Sequence, residues 1–74
     1  MSYYLTTKVR QEIGGNIKEA RENKKMLQVE VAEAAGLNPS YYSKIERGTV
    51  NFSIGKFYKI LRALGVKSSD LLPF

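Results

Sequence analysis

Gly36 splits the middle of this chain into two short helical patterns. Before it, QVEVAEAA sets Val31, Ala32 and Ala35 at helical spacing, on one side of a helix over Gln28–Ala35. After it, Asn38-Pro39 is a start signal, with Asn as N-cap and Pro at the first helical position. The second pattern runs over Pro39–Arg47. Tyr42 and Ile45, three apart, take its inward side, and Gly48 suits a left-handed C-terminal residue. The small alanines allow the two helices to cross closely.

Two helices with about three residues between them have the spacing of a helix-turn-helix. In that motif the second helix enters the DNA major groove, which points to double-stranded DNA as partner and to Pro39–Arg47 as the reading element. The charge agrees. Twelve Lys and Arg against seven Asp and Glu leave +5, a balance that suits an anionic partner but also serves ordinary solubility.

Seventy-four residues make one domain with a thin core, which must pack efficiently or lean on a partner chain. With no Cys there is no disulfide framework and no thiolate metal site; with no His the usual general base and zinc ligand are gone. Paired acids and a glycine-rich phosphate loop are also lacking, so no enzyme, cofactor or metal site is expected. No stretch approaches the roughly 18 apolar residues of a membrane span, and MSYYLTTK is not a secretory signal, so a cytoplasmic location is expected. At this length no separate small-molecule ligand domain is expected.

Taken in order, residues 1–6 are expected to form an arm, and 7–74 the domain. Tyr3 and Tyr4 could pack on the body, touch a second subunit or stay exposed. Thr6 or Thr7 caps a helix over Thr7–Asn23, whose apolar side is Val9, Ile13, Ile17 and Ala20, with Met26 beyond. Gly14-Gly15 inside it costs roughly 1 kcal/mol per glycine relative to alanine. Either a neighbour approaches closely there or the helix starts later. Leu27 stands where a polar cap would precede Gln28 and is expected to pack inward. After a loop at 49–52, Ser53 caps a helix over Ile54–Leu64 with Ile54, Phe57, Ile60, Leu61 and Leu64 as its apolar face; Gly65 ends it. Ser68 then caps a last turn at 69–72, with Asp70 in its first turn. The expected fold is all-α: five helices, no strands.

The run Q-x-x-V-A-x-x-A-G-L-N-x-x-Y-Y-S-K-I-E-R-G, followed by N-F-S-I and L-R-A-L-G-V-K-S-S-D-L-L, resembles the Cro/C1-type helix-turn-helix (XRE) family over residues 13–72. The run Y-S-K-I-E-R-G-x-x-N-F-S-I also resembles the small stand-alone controllers of restriction–modification genes. The resemblance implies a compact five-helix, lambda-repressor-like domain that regulates transcription as a homodimer on a palindromic operator. Three departures stand out: Leu27 for a polar cap, Phe52 for a common proline, and Lys25 where glycine often ends the first helix.

By the same resemblance Gln28 reaches a phosphate and can brace a residue of the third helix. Pro39, Ser40, Tyr41 and Lys44 occupy the base-reading positions. Lys44 can donate to guanine O6 and N7, Ser40 pairs with several bases, Pro39 offers only apolar contact, and Tyr41 can meet a sugar or phosphate. Ser43 and Arg47 are phosphate contacts, joined by Asn51 and Lys56 around the loop and by backbone N–H groups at the start of the fourth helix. Arg21 and Glu46 pair to brace the first helix against the third. Tyr42, at a usually aliphatic position, needs a partner for its hydroxyl. Phe52, Tyr58, Leu71, Leu72 and Phe74 either form a dimer surface or finish a small core. The competing function is a non-catalytic protein-interaction module, such as an antitoxin-like or phage accessory protein.

Overall fold

The computed structural model describes residues 6–74, so Tyr3, Tyr4 and the rest of the arm before Thr6 lie outside the described residues. Five helices follow in order: α1 Thr7–Asn23, α2 Gln28–Ala35, α3 Pro39–Arg47, α4 Ile54–Leu64 and α5 Ser68–Leu71. No strand occurs among the described residues. Each long helix is bounded by local chemistry. Thr6, Asn38 and Ser53 accept backbone N–H groups of α1, α3 and α4, while Gly36, Gly48 and Gly65 end α2, α3 and α4 in the left-handed conformation. No helix among the described residues is long and apolar enough to cross a membrane.

α3 packs on α1 and α2, α4 on α2, and α5 on α1. Ile13 and Ile17 of α1, Val31, Ala32 and Ala35 of α2, Tyr42 and Ile45 of α3, Phe57, Ile60 and Leu64 of α4, and Leu71 of α5 form one buried cluster. Each large apolar side chain in it contributes about 1.5–3 kcal/mol by leaving water. The amide of Asn16 on α1 donates to the Leu71 carbonyl at 2.8 Å and secures α5.

Gly14 explains the costly Gly-Gly pair. A Cβ there would collide with the backbone carbonyls of Glu46 and Ile45, the latter at 2.5 Å, whereas one at Gly15 would meet nothing within 4 Å. α1 is therefore continuous through both glycines, and only the first is a packing requirement.

Several expectations are corrected. Leu27 does not pack inward: it is 64% exposed, and its N–H is satisfied by the Glu30 carboxylate at 2.7 Å. A carboxylate three residues into α2 thus satisfies the backbone N–H of the residue before the helix, while no side chain at Leu27 caps the first N–H groups of α2. Ile54 is 82% exposed and no part of the core; α4 turns Phe57, Ile60 and Leu64 inward instead. Leu71 finishes the core and offers no dimer surface. The last turn starts one residue early, with Lys67 as N-cap, because the Asp70 carboxylate accepts the Lys67 N–H at 2.9 Å. Lys25 itself takes the left-handed conformation, with φ 57°, at the position usually given to glycine.

Candidate nucleic-acid interface

The site is built on the N-terminal end of α3. The Asn38 side chain accepts the N–H groups of Ser40 at 2.8 Å and Tyr41 at 3.2 Å, which fixes where the helix begins. Pro39, Ser40 and Lys44 are all exposed, and Ser40 and Lys44 stand one helical turn apart. Arg47 is exposed at the far end, while Ser43 is half-buried. These groups offer one face with hydroxyl and ammonium donors beside a methylene surface.

Tyr41 is placed differently from its neighbours. It is half-buried, and its hydroxyl donates to the Asn51 carbonyl at 2.8 Å. The Lys56 ammonium lies 4.9 Å from the Tyr41 ring centre. Tyr41, Asn51 and Lys56 thus form one cluster linking α3, the loop at 49–52 and α4. The Lys56 backbone N–H is taken by the Ser53 hydroxyl at 3.2 Å, so that amide is not open to a phosphate as expected. The Lys56 side chain remains exposed.

Behind this face lies a polar brace. Arg21 of α1 donates through Nε to Glu46 Oε2 at 2.7 Å and through Nη2 to Oε1 at 3.2 Å, the bidentate geometry of a strong pair. Its Nη1 also donates to the Met26 carbonyl at 2.9 Å. The Gln28 amide donates to Glu46 Oε1 at 2.9 Å, so one carboxylate on α3 holds both α1 and α2. Gln28 thereby braces α3 from the start of α2, and its half-buried side chain keeps a further amide hydrogen and its oxygen.

The Glu46 and Arg21 side chains are only 2% and 11% exposed. Burial pushes the Glu46 carboxyl pKa up, but the hydrogen bonds from Arg21 and the other donors around it outweigh that and hold it below the usual carboxylate range. The Arg21 guanidinium is raised by its bond to Glu46, against the pull of burial. The Tyr42 hydroxyl is fully buried beside this pair and closes no hydrogen bond of good geometry. Burial first, and the Glu46 carboxylate second, push its pKa well above the ordinary 10.0.

Two contacts escaped the sequence reading. Gln28 was expected to brace α3, but the acceptor, Glu46, was assigned only to Arg21. Arg10 gave no signal at all; two of its partners, Gly48 and Asn51, lie 38 and 41 residues away, beyond any periodicity.

With this geometry in view, comparison with known proteins is specific. A family model described as Helix-turn-helix matches residues 17–71. The control protein C.BamHI of Bacillus amyloliquefaciens is 39% identical over 71 residues, covering 95% of this chain and 88% of that protein. The crystal structure of the restriction–modification controller C.AhdI from Aeromonas hydrophila superposes with a TM-score of 0.82 at 30% identity, over 85% of this chain and 96% of that one. The controller C.Esp1396I, solved as a tetramer in complex with its natural 35 base-pair operator, gives a TM-score of 0.77 at 30% identity, over 82% of this chain and 80% of that one. The chain belongs to the helix-turn-helix family of DNA-binding transcriptional regulators.

Proposed function

We propose that this protein is a sequence-specific regulator of the restriction–modification controller type, which reads a palindromic operator as a homodimer with α3 in the major groove. The observation that carries it is the division of α3. Its exposed side holds Pro39, Ser40 and Lys44, while its other side is locked to α1 and α2 through Glu46. A helix held at the back and polar at the front is preorganised for base contacts. Lys44 is the base reader with Ser40 beside it. Pro39 gives apolar contact, and Gln28, Ser43, Arg47, Asn51 and Lys56 serve phosphates.

Similarity to the control protein C.BamHI over nearly the whole of both chains supports the controller reading. The dimer is supported by an apolar groove lined by Phe52, Ile54, Tyr58, Leu61, Leu72 and Phe74. Ile54 and Phe74 are 82% and 83% exposed, more apolar surface than a lone chain gains by showing to water. A second copy seated there would set two recognition helices about 34 Å apart, one turn of DNA.

The test is fluorescence anisotropy on duplex DNA over a salt series. A steep negative salt slope and a preference of about 10³-fold or more for one sequence are expected. Weak, sequence-blind binding at every salt would favour the protein-interaction module instead. Within this scheme Lys44→Ala relaxes preference at one base position, whereas Gln28→Ala weakens all sequences alike.

A further inference from the structure

The N-terminal half of α1 holds the loop after α3 by a set of contacts that the base-reading scheme does not use. The guanidinium of Arg10 donates through Nε to the Gly48 carbonyl at 3.3 Å and through Nη1 to Asn51 Oδ1 at 3.1 Å. A third donor, Nη2, goes to the Thr7 hydroxyl at 3.0 Å, one turn back along α1. Arg10 is half-buried rather than extended into solvent. Gly48 lies in direct contact with α1: it has φ +74°, and a Cβ there would come within 2.7 Å of Gln11 Cα. From the other side Tyr41 fastens the same loop through the Asn51 carbonyl. Asn51 is therefore held at both its side chain and its backbone, by residues 41 and 10 positions away in sequence.

From this geometry we infer that Arg10 is a positioning residue for DNA binding: it ties the 48–51 loop to α1 and so presets Asn51 and Arg47 for the phosphate backbone. This rests on the reading of the loop as a phosphate contact. Arg10 acts through its fork. One planar group reaches a carbonyl and an amide oxygen together, while a lysine ammonium, a single point, cannot span both from the same stem. The tie also removes loop freedom before binding, so that less is lost when DNA is engaged.

The experiment is Arg10→Lys in the full chain, with two measurements. Backbone ¹⁵N relaxation of Thr49, Val50 and Asn51 in the free protein should show new fast motion. Affinity for the preferred duplex should fall about tenfold, with the salt slope and the base preferences unchanged. Melting should move by only a few degrees, as befits a partly exposed surface tie. Thr7→Ala, which removes the hydroxyl that orients the guanidinium and leaves the charge in place, should act in the same direction more weakly. Binding by Arg10→Lys equal to wild type, or loop relaxation unchanged in both variants, would overturn the inference. So would an Arg10→Met variant whose salt slope drops by about one while its loop stays rigid, since Arg10 would then be a phosphate contact itself. If the wild-type chain showed no sequence preference, the functional reading would fall, while the relaxation data would still decide whether Arg10 holds the loop.

Discussion

Replacing Glu46 by alanine tests the brace behind α3. The carboxylate accepts three hydrogen bonds, two from Arg21 and one from Gln28, and its side chain is 2% exposed. Truncation leaves the Arg21 guanidinium, 11% exposed, without its counter-charge. Removing one member of a buried pair costs about 3–5 kcal/mol, while an exposed pair is worth at most about 1 kcal/mol. A domain of this size has a total stability of roughly 4–11 kcal/mol. Glu46→Ala should therefore lose about a quarter of its stability or more, and its melting temperature should fall by at least about 12 °C. Urea unfolding followed by circular dichroism measures this directly. Replacing Arg21 by methionine together with Glu46 by leucine should recover much of the loss, because no buried charge is then stranded. A loss under about 1 kcal/mol for Glu46→Ala would show that water reaches the pair and that the brace holds nothing.

Three further outcomes are expected from the Glu46 carboxyl, the approach at Gly14 and the backbone at Lys25. Because the Glu46 carboxyl is held below its usual 4.5, its contribution is present above that value and is lost as pH falls through the lower folded-state value; wild type should lose stability more steeply below about pH 4.5 than Glu46→Gln, as thermal melts across pH would record. Gly14→Ala should destabilise by about 1–3 kcal/mol despite alanine's better helix propensity, since its methyl meets the carbonyls of Ile45 and Glu46, whereas Gly15→Ala, facing open space, should stabilise by about 1 kcal/mol; equal effects in calorimetry would refute the close approach. Lys25→Gly should raise stability by about 0.5–1 kcal/mol by relieving a left-handed lysine, and a lower melting temperature would contradict it.

What could be read from the residues alone depended on whether the cause was local. Gly36, Asn38-Pro39, Gly48, Ser53 and Gly65 act within a turn of themselves, and the end of α2 and the bounds of α3 and α4 follow from them. The errors at Leu27 and Lys67 share one origin, a partner three residues on. At both, a carboxylate at the third helical position takes up the backbone N–H of the residue before the helix, so the helix starts there without a capping side chain. Ile54 satisfies the apolar spacing of α4, but a first-turn position can lie past the edge of the core, and here it does. At the candidate site, the spacing of Ser40 and Lys44 foretold their shared exposure. Tyr41 satisfies the same spacing yet is drawn away by Asn51, a contact that only the return of the chain creates. The Gln28–Glu46 bond and the Arg10 tie are likewise tertiary, with separations of 18, 38 and 41 residues.

On the proposed function, α3 reads bases while its buried side holds it still. Selection of bound sites from a randomised duplex library tests this most directly, with wild type and Lys44→Ala compared side by side. Wild type should enrich a two-fold symmetric sequence with half-site centres about one helical turn apart, and Lys44→Ala should lose preference at one position in each half-site while keeping the spacing. Enrichment of no sequence by wild type, or the same sequence logo from both proteins, would contradict it.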